Sequence, residues 1–240
     1  MINKIILFTI IVGDYFHKKK IIKFLKNKGI LNIDILVDVG AHKGESISFF
    51  LRNFNIRNIY SFEPIPHTFN KLKSKLKYFS KIKKNCDIKL ENSALGKSKK
   101  KIFIKKMIES SSSTIKEINT KSKYFNRKKK LLYSGKKNFF EMIEINQIKL
   151  SDYMQQNSIK KIDFLKIDTE GYEYDVLKGM EEKIVNTKLI MFEHHYHDMI
   201  KKNYTYSDIH NYLIKEKFVR IYKSKMPFRR TFEYIYENNN

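Results

Sequence analysis

Three carboxylates stand at or near the ends of apolar runs, each followed by loop residues. They are Asp38 after Ile35-Leu36-Val37, Glu63 after Ile59-Tyr60-Ser61-Phe62, and Asp168 after Phe164-Leu165-Lys166-Ile167. If these runs are parallel strands of an α/β sheet, their carboxyl ends border the crevice where small ligands bind. Glu63 lies nineteen residues past Gly44, about the spacing at which a strand-end carboxylate reaches the hydroxyls of a bound ribose. The pattern points to a nucleoside-containing cofactor. A second constellation, Glu193, His194, His195 and His197, is the only dense cluster of His and carboxylate in the chain. On an extended strand Glu193, His195 and His197 face one side and His194 the other. Such a cluster supplies a base or an acceptor-binding histidine, or simply ends a strand. A divalent metal on Glu193, His195 and His197 is the alternative, because no second ligand group and no C-x-x-C pair accompanies them. His42 and His67, at helix starts, read as local caps or surface residues.

The glycine loop narrows the choice of cofactor. A dinucleotide site wants G-x-G-x-x-G, so that two phosphates meet bare backbone at a helix start; His42 and Glu45 stand where that template needs glycine. A P-loop needs four residues between its glycines and then Lys; here three separate Gly40 from Gly44, and Glu45 follows. An acidic residue there repels phosphate. What remains is D-x-G-A-x-x-G, from Asp38 through Gly40 and Ala41 to Gly44. This turn admits a cofactor without phosphate, such as S-adenosylmethionine. A glycine turn of this kind also occurs as plain strand–helix packing.

These residues need a scaffold. Strands over 35–39, 58–63, 87–92, 162–168 and 188–193 alternate with helices over 45–53, 67–80 and 172–180, which predicts a parallel sheet covered on both faces. Phe69, Leu72, Leu76 and Phe79 recur with helical period. Ser207 is the expected cap of a helix reaching about 217, and the runs 218–222 and 231–236 form an antiparallel hairpin around Pro227. Upstream, His17 to Lys28 reads as a short basic helix stopped by Gly29, with Ile21, Ile22 and Leu25 inward. The expected organisation is an N-terminal basic helical segment over 1–32 packing on a domain over 33–240. A Lys-rich insertion over about 97–150 carries two strands, 101–105 and 141–145. It reads either as a lid over the acceptor or as a solvated loop.

Composition bounds the partners. With 240 residues and a 42% hydrophobic share, one domain can bury a full core. The single cysteine, Cys86, excludes an internal disulfide and suits a reducing, cytoplasmic setting. The net charge of +24 resembles a nucleic-acid signature, yet only six of the 49 basic residues are Arg. Arg is the residue favoured for bidentate phosphate recognition, and the Lys are spread from end to end. The positive field nonetheless attracts acidic polymers and anionic lipid headgroups, so peripheral membrane contact is an expected partner class. The apolar run Ile5 to Val12 is only eight residues long, against the roughly 20 needed to span a bilayer. It reads as a helix or strand packing on the domain. No internal repeat is apparent.

VDVGAHKGE (37–45), SFEP (61–64), LENSALG (90–96) and DFLKIDTEGYEYDVLKGM (163–180) resemble, in order, the motifs of FkbM-type methyltransferases, with FEHH (192–195) at the next strand end. The resemblance spans roughly 33–196 and is most specific at K-I-D-x-E-G-x-E. It implies a class I methyltransferase fold, a Rossmann-like seven-stranded, mostly parallel sheet ending in an antiparallel hairpin. It also implies S-adenosylmethionine as cofactor. Asp38, Gly40, Ala41 and Gly44 would then border the methionine end, Glu63 the ribose, and Asn92, Ser93 and Ala94 the adenine. Asp168 and Glu170 would stand beside the transferred methyl, with His194 and His195 as further base candidates. Members of the family commonly methylate hydroxyls on sugars or small natural products. The expected activity is therefore O-methylation of a sugar, glycan or small-molecule hydroxyl, with surface polysaccharide assembly as one setting. His42 stands where relatives often carry Asn, and 97–150 matches the family poorly. The rival readings are a nucleic-acid methyltransferase using the basic surface and a non-catalytic binding protein of the same fold.

Overall fold

The structure, a computed structural model, describes residues 2–108, 110–132 and 138–239. Its central sheet is built from β1 (Asn32–Val39), β2 (Asn55–Phe62), β3 (Asp87–Glu91), β8 (Ile162–Ile167), β9 (Thr187–His195), β11 (Phe218–Lys225) and β12 (Thr231–Asn238). The spatial order is β11-β12-β9-β8-β1-β2-β3. All neighbours pair in parallel except β12, which runs antiparallel to both β9 and β11. Chain order reverses between β1 and β8, so a crevice opens beyond Val39 and Ile167, where an α/β sheet takes its ligand. The inner strands are apolar on both faces because helices cover both.

One face packs Leu36 and Phe164 with Ile21, Leu25, Phe50, Leu72 and Phe79; the other packs Val37 and Leu165 with Met154, Val176, Leu177, Leu213 and Tyr236. The Phe50 and Phe164 rings meet edge to face with centroids 5.1 Å apart. Truncating a ring so buried costs about 3–5 kcal/mol.

Flanking helices are α1 (Ile2–Asn27), α2 (Glu45–Asn53), α3 (Pro66–Lys73), α4 (Leu76–Ile82), α5 (Lys123–Leu132), α6 (Leu150–Gln156), α7 (Glu173–Lys178) and α8 (Tyr206–Lys215), with a 3-10 turn over Glu181–Asn186. Three departures from the sequence expectations have physical causes. The short basic helix is the end of one 26-residue helix, α1. It does stop at Gly29: Gly29 N–H donates to Lys26 O and Ile30 N–H to Leu25 O, around the left-handed Gly29, the Schellman pattern that glycine permits. The backbone of the run Ile5 to Val12 is helical; the side chains of residues 2–8 and 11 lie outside the described set. The expected helix over 67–80 is two, broken where Ser74 Oγ donates to Lys71 O and Lys75 N–H turns back to Leu72 O. The break lets Leu72 and Phe79 press on Gly44, where a Cβ would sit 2.4 Å from the Phe79 ring. The cap of α8 is Thr205, not Ser207: Thr205 Oγ1 accepts from Asp208 N–H while Asp208 accepts from Thr205 N–H, a capping box.

The insertion is folded over its described residues. β5 (Lys100–Met107) pairs antiparallel with β7 (Phe140–Ile148), and β4 (Ala94–Leu95) runs parallel to β7. β6 (Glu117–Ile118) pairs with β10 (Ile200–Lys201). Ile104 and Ile145 bury against Ile65 and Ala94, and Phe125 against Met107 and Met199. Among the described residues no helix is long and apolar enough to cross a membrane.

Candidate active site

The turn after β1 is tightly constrained. Gly40, His42 and Gly44 are all left-handed, at φ 79°, 51° and 82°. A Cβ on Gly40 would lie 1.9 Å from the backbone oxygen of Asp168, so the glycine lets the β1 and β8 ends close on one another. Gly40 and Ala41 N–H both donate to Phe62 O, and Asp168 N–H donates to Val39 O. The three predicted strand ends thus meet in one place.

Glu63 is buried there. Its carboxylate accepts from His42 N–H at 2.9 Å and Ile65 N–H at 3.0 Å. Burial pushes its carboxyl up to about 7, against the pull of those donors and the His42 charge. Glu63 lines a cavity of about 80 Å³ with Gly40, Phe62, Ile65, Ser93, Ala94, Leu95, Ile104, Ser110, Asp168, Glu170 and Tyr172. Ser93 Oγ is buried without a hydrogen-bond partner among the described residues.

A second cleft, about 930 Å³, lies on the other side of the same loop. Its wall includes Ala41, Glu45, Lys166, Glu193, His195 and His197 from the core. Further wall comes from Asp14 and Lys18 of α1, Tyr124, Arg127 and Lys128 of α5, and Phe228, Arg229 and Glu233 of the C-terminal hairpin. Gly40, His42, Ser111, Asp168 and Glu170 line both cavities.

Asp168 and Glu170 sit on a loop whose shape Glu173 imposes. The buried Glu173 carboxylate accepts from Thr169 N–H and Oγ1, Gly171 N–H and Tyr204 OH. Gly171 at φ 95° and Glu170 at φ 50° complete the bend. Burial pushes the Glu170 carboxyl up, opposed by His195 and Lys128. His195 Nε2 lies 3.3 Å from Glu170 Oε2 and makes no hydrogen bond among the described residues, while its Nδ1 contacts Thr231 Oγ1 at 2.9 Å. Burial also raises the Glu193 carboxyl well above its ordinary value, with Asp168, Glu233 and Glu170 adding to it. His197 stacks on Tyr124 with ring centroids 4.1 Å apart; burial first, then His195 and Lys202, hold it down to about 3.

Lys166 is the member that inspection of the sequence missed. It pairs across the sheet with Asp38, and its Nζ lies 3.2 Å from Asp38 Oδ1 and 3.5 Å from Asp168 Oδ2. Burial opposes its charge, yet Asp38, Asp168 and Glu193 outweigh that and keep the ammonium protonated. The available signal was a Lys inside an apolar strand, in register with one predicted carboxylate and two residues before another.

The structure sorts the predicted cofactor residues by position. Gly40, Glu63, Ser93, Ala94 and Asp168 line the smaller cavity, and Ala41 the larger. Asp38, Gly44 and Asn92 line neither. Asp38 is buried beneath the loop, held by Lys166 and by Ser46 Oγ at 2.5 Å. Gly44 is covered by Phe79 and Leu72, and the Asn92 amide donates to Glu63 O and Pro64 O. His194 is separated from the other base candidates: it points to the opposite sheet face, among the rings of Tyr196, Tyr204 and Tyr206. There burial, followed by Lys202 and His195, holds it down to about 3. Among the described residues no group of three or more His, Cys, Asp or Glu is arranged to hold a metal, Glu193, His195 and His197 included. The insertion, read as a lid or a solvated loop, walls both cavities through Ser110, Ser111 and Lys128, and Ser110 Oγ lies 2.7 Å from His42 Nε2.

Known structures share this architecture. An FkbM methyltransferase from Methylobacillus flagellatus KT aligns with a TM-score of 0.57 at 15% identity, over 85% of this chain and 43% of that one. The chain thus spans less than half the length of that protein. TrmK from M. capricolum, solved with S-adenosyl-homocysteine, aligns with a TM-score of 0.51 at 10% identity, over 94% of this chain and 69% of that one. Magnesium protoporphyrin IX methyltransferase (ChlM) from Synechocystis PCC 6803, solved with bound SAM, aligns with a TM-score of 0.50 at 9% identity, over 95% and 81%. At such identities the likeness is one of fold, the class I methyltransferase fold. No curated protein matches the chain. The sequence itself matches the methyltransferase FkbM domain over residues 38–222, and the chain belongs to that family.

Proposed function

We propose that the protein is an S-adenosylmethionine-dependent O-methyltransferase acting on a hydroxyl of a sugar, glycan or other small acceptor. The observation that carries this reading is the junction: the small cavity at the strand ends and the larger cleft share Gly40, His42, Asp168 and Glu170. The smaller cavity fits the cofactor in its chemistry. Glu63 keeps lone pairs free for ribose hydroxyls, the orphaned Ser93 Oγ awaits a polar partner, and Ile65, Leu95 and Ile104 offer apolar surface to a base. When bound, S-adenosylmethionine supplies an electrophilic methyl on a sulfonium.

The chain's own residues then orient the acceptor and take its proton. Asp168, fixed by Lys166, stands at the junction to orient the hydroxyl. His195 Nε2, 3.3 Å from Glu170 Oε2, accepts the hydroxyl proton, and the Glu170 carboxylate stabilises the imidazolium. Holding the acceptor in line contributes most of the acceleration.

The cleft also bears on the rival reading. Although the chain carries +24, this cleft sets Asp14, Glu45, Asp168, Glu170, Glu193 and Glu233 against Lys18, Arg127, Lys128, Lys166 and Arg229, without the one-sided positive field of a phosphate-binding surface. Its carboxyl groups can hydrogen-bond polyols, which favours a neutral hydroxyl acceptor over nucleic acid. Radiolabelled methyl donor with a panel of glycosides and a mixed oligonucleotide tests this. Label in a glycoside is expected; label in the oligonucleotide alone would overturn the acceptor class.

A further inference from the structure

The larger cleft opens beside the exposed flank of α1. There Phe228 is 73% exposed, the most exposed large apolar side chain among the described residues. It sits at φ 61°, a left-handed conformation that favours Gly or Asn and disfavours a bulky aromatic. Its ring lies beside Gly13 of α1 and borders the larger cleft, yet most of its surface stays in solvent. The turn is nevertheless fixed in place. A Cβ on Gly13 of α1 would lie 3.0 Å from Pro227 and 3.3 Å from the Phe228 ring, and Arg229 Nη2 donates to Asp14 Oδ2 at 2.7 Å. The adjoining helix flank exposes Tyr15 and Phe16, at 54% and 57%, with ring centroids 5.7 Å apart. Cations follow directly: Lys19 Nζ lies 4.6 Å from the Tyr15 ring centroid, and Lys19, Lys20, Lys23 and Lys26 are exposed along the next turns.

Exposed aromatic rings bordered by lysines on one helix flank match the chemistry of a bilayer interface. The rings enter the boundary between headgroups and acyl chains, and the lysines meet anionic headgroups. Neither contribution alone holds a protein at a membrane; the two together do. We propose that the α1 flank and the Phe228 turn form a docking face for an anionic lipid bilayer. Because Phe228 also lines the larger cleft, docking brings the Phe228 side of that cleft to the lipid surface. An acceptor carried on a lipid would reach it without leaving the membrane. This last link rests on reading the larger cleft as the acceptor site; the docking itself does not.

Flotation of the full chain with vesicles of phosphatidylcholine, with and without phosphatidylglycerol, tests the proposal. Wild type is expected to float with the anionic vesicles only, less so as salt rises. Phe16→Ser with Phe228→Ser should lower partitioning about tenfold, and Lys19→Glu with Lys23→Glu should abolish it. Phe228→Gly gives two readouts of opposite sign, a higher thermal midpoint because the turn favours glycine and weaker flotation. Equal flotation of wild type and the Phe16/Phe228 variant would overturn the proposal. So would wild type that stays with a mixed oligonucleotide, or pairs with itself, and never floats. Titration with S-adenosylhomocysteine runs in parallel: its failure counts against the cofactor reading and leaves the flotation result standing.

Discussion

The two cavities are built by different means. The smaller one is made almost wholly by strand ends and the loops leaving them, all within the stretch that matches the FkbM domain. Backbone groups do most of the holding there, and the side chains that matter, Glu63 and Asp168, are fixed by N–H donors and register. Much of the larger cleft's wall comes from elements outside that stretch: α1 before it, and Phe228, Arg229 and Glu233 after it. Those elements are joined by side-chain pairs of long sequence separation, such as Asp14 with Arg229 and the buried His17 with Glu233 at 2.5 Å. The contrast is between a cavity that strand ends close locally and a cleft that pairs of distant side chains help to close.

The sharpest way to break this contrast is Gly40→Ala. With a Cβ directed at the Asp168 carbonyl and a left-handed backbone, it should cost at least about 3 kcal/mol and disable both cavities. A variant with normal stability in chemical denaturation would show that the strand ends are not so tightly closed. His195→Gln should separate the regions: cofactor binding persists while turnover of any accepted glycoside falls about 10²–10⁴-fold. Equal loss of both functions would place His195 in the cofactor region.

Titration sharpens the comparison further, because the buried Glu63 carboxyl and the buried His194 and His197 respond to pH with opposite sign. Glu63 holds its proton up to about 7 when folded, against 4.5 as its ordinary value. The native state therefore binds more protons in that window, and stability falls by about 3 kcal/mol from pH 4.5 to 7. His194 and His197 are held down to about 3. The native state binds fewer protons there, so their contribution grows from pH 3 to 6.5 and is complete above it. Denaturant melts across pH should show Glu63→Gln losing the descending component and His197→Gln losing part of the ascending one; parallel curves would refute both assignments. The smallest effect is expected for Asp14→Ala, about 1 kcal/mol or less, since its pair with Arg229 is partly exposed. Thermal melts check it.

The smaller cavity was more legible in the sequence because its signals are local. A carboxylate closing an apolar run and a glycine turn announce themselves within a few residues. The larger cleft depends on partners far away in the chain. The run Ile5 to Val12 and the helix from His17 read as separate elements until Pro227 packs beside Gly13 and Arg229 pairs with Asp14, and one helix runs through both. Lys166 looks like a stray charge until Asp38 is seen beside it across the sheet. His194 and His195 are indistinguishable as residue types; alternation on β9 sends one among tyrosines and the other into the cleft.

The most direct test of the central claim, that the small cavity holds S-adenosylmethionine, is calorimetric titration of S-adenosylhomocysteine into the wild-type protein and Glu63→Ala, with NAD as competitor. Micromolar binding that NAD does not displace, and that falls at least about tenfold in the variant, is the expected result. Folded wild type that binds no S-adenosylhomocysteine, or a Glu63→Ala variant that binds it equally well, would contradict the account.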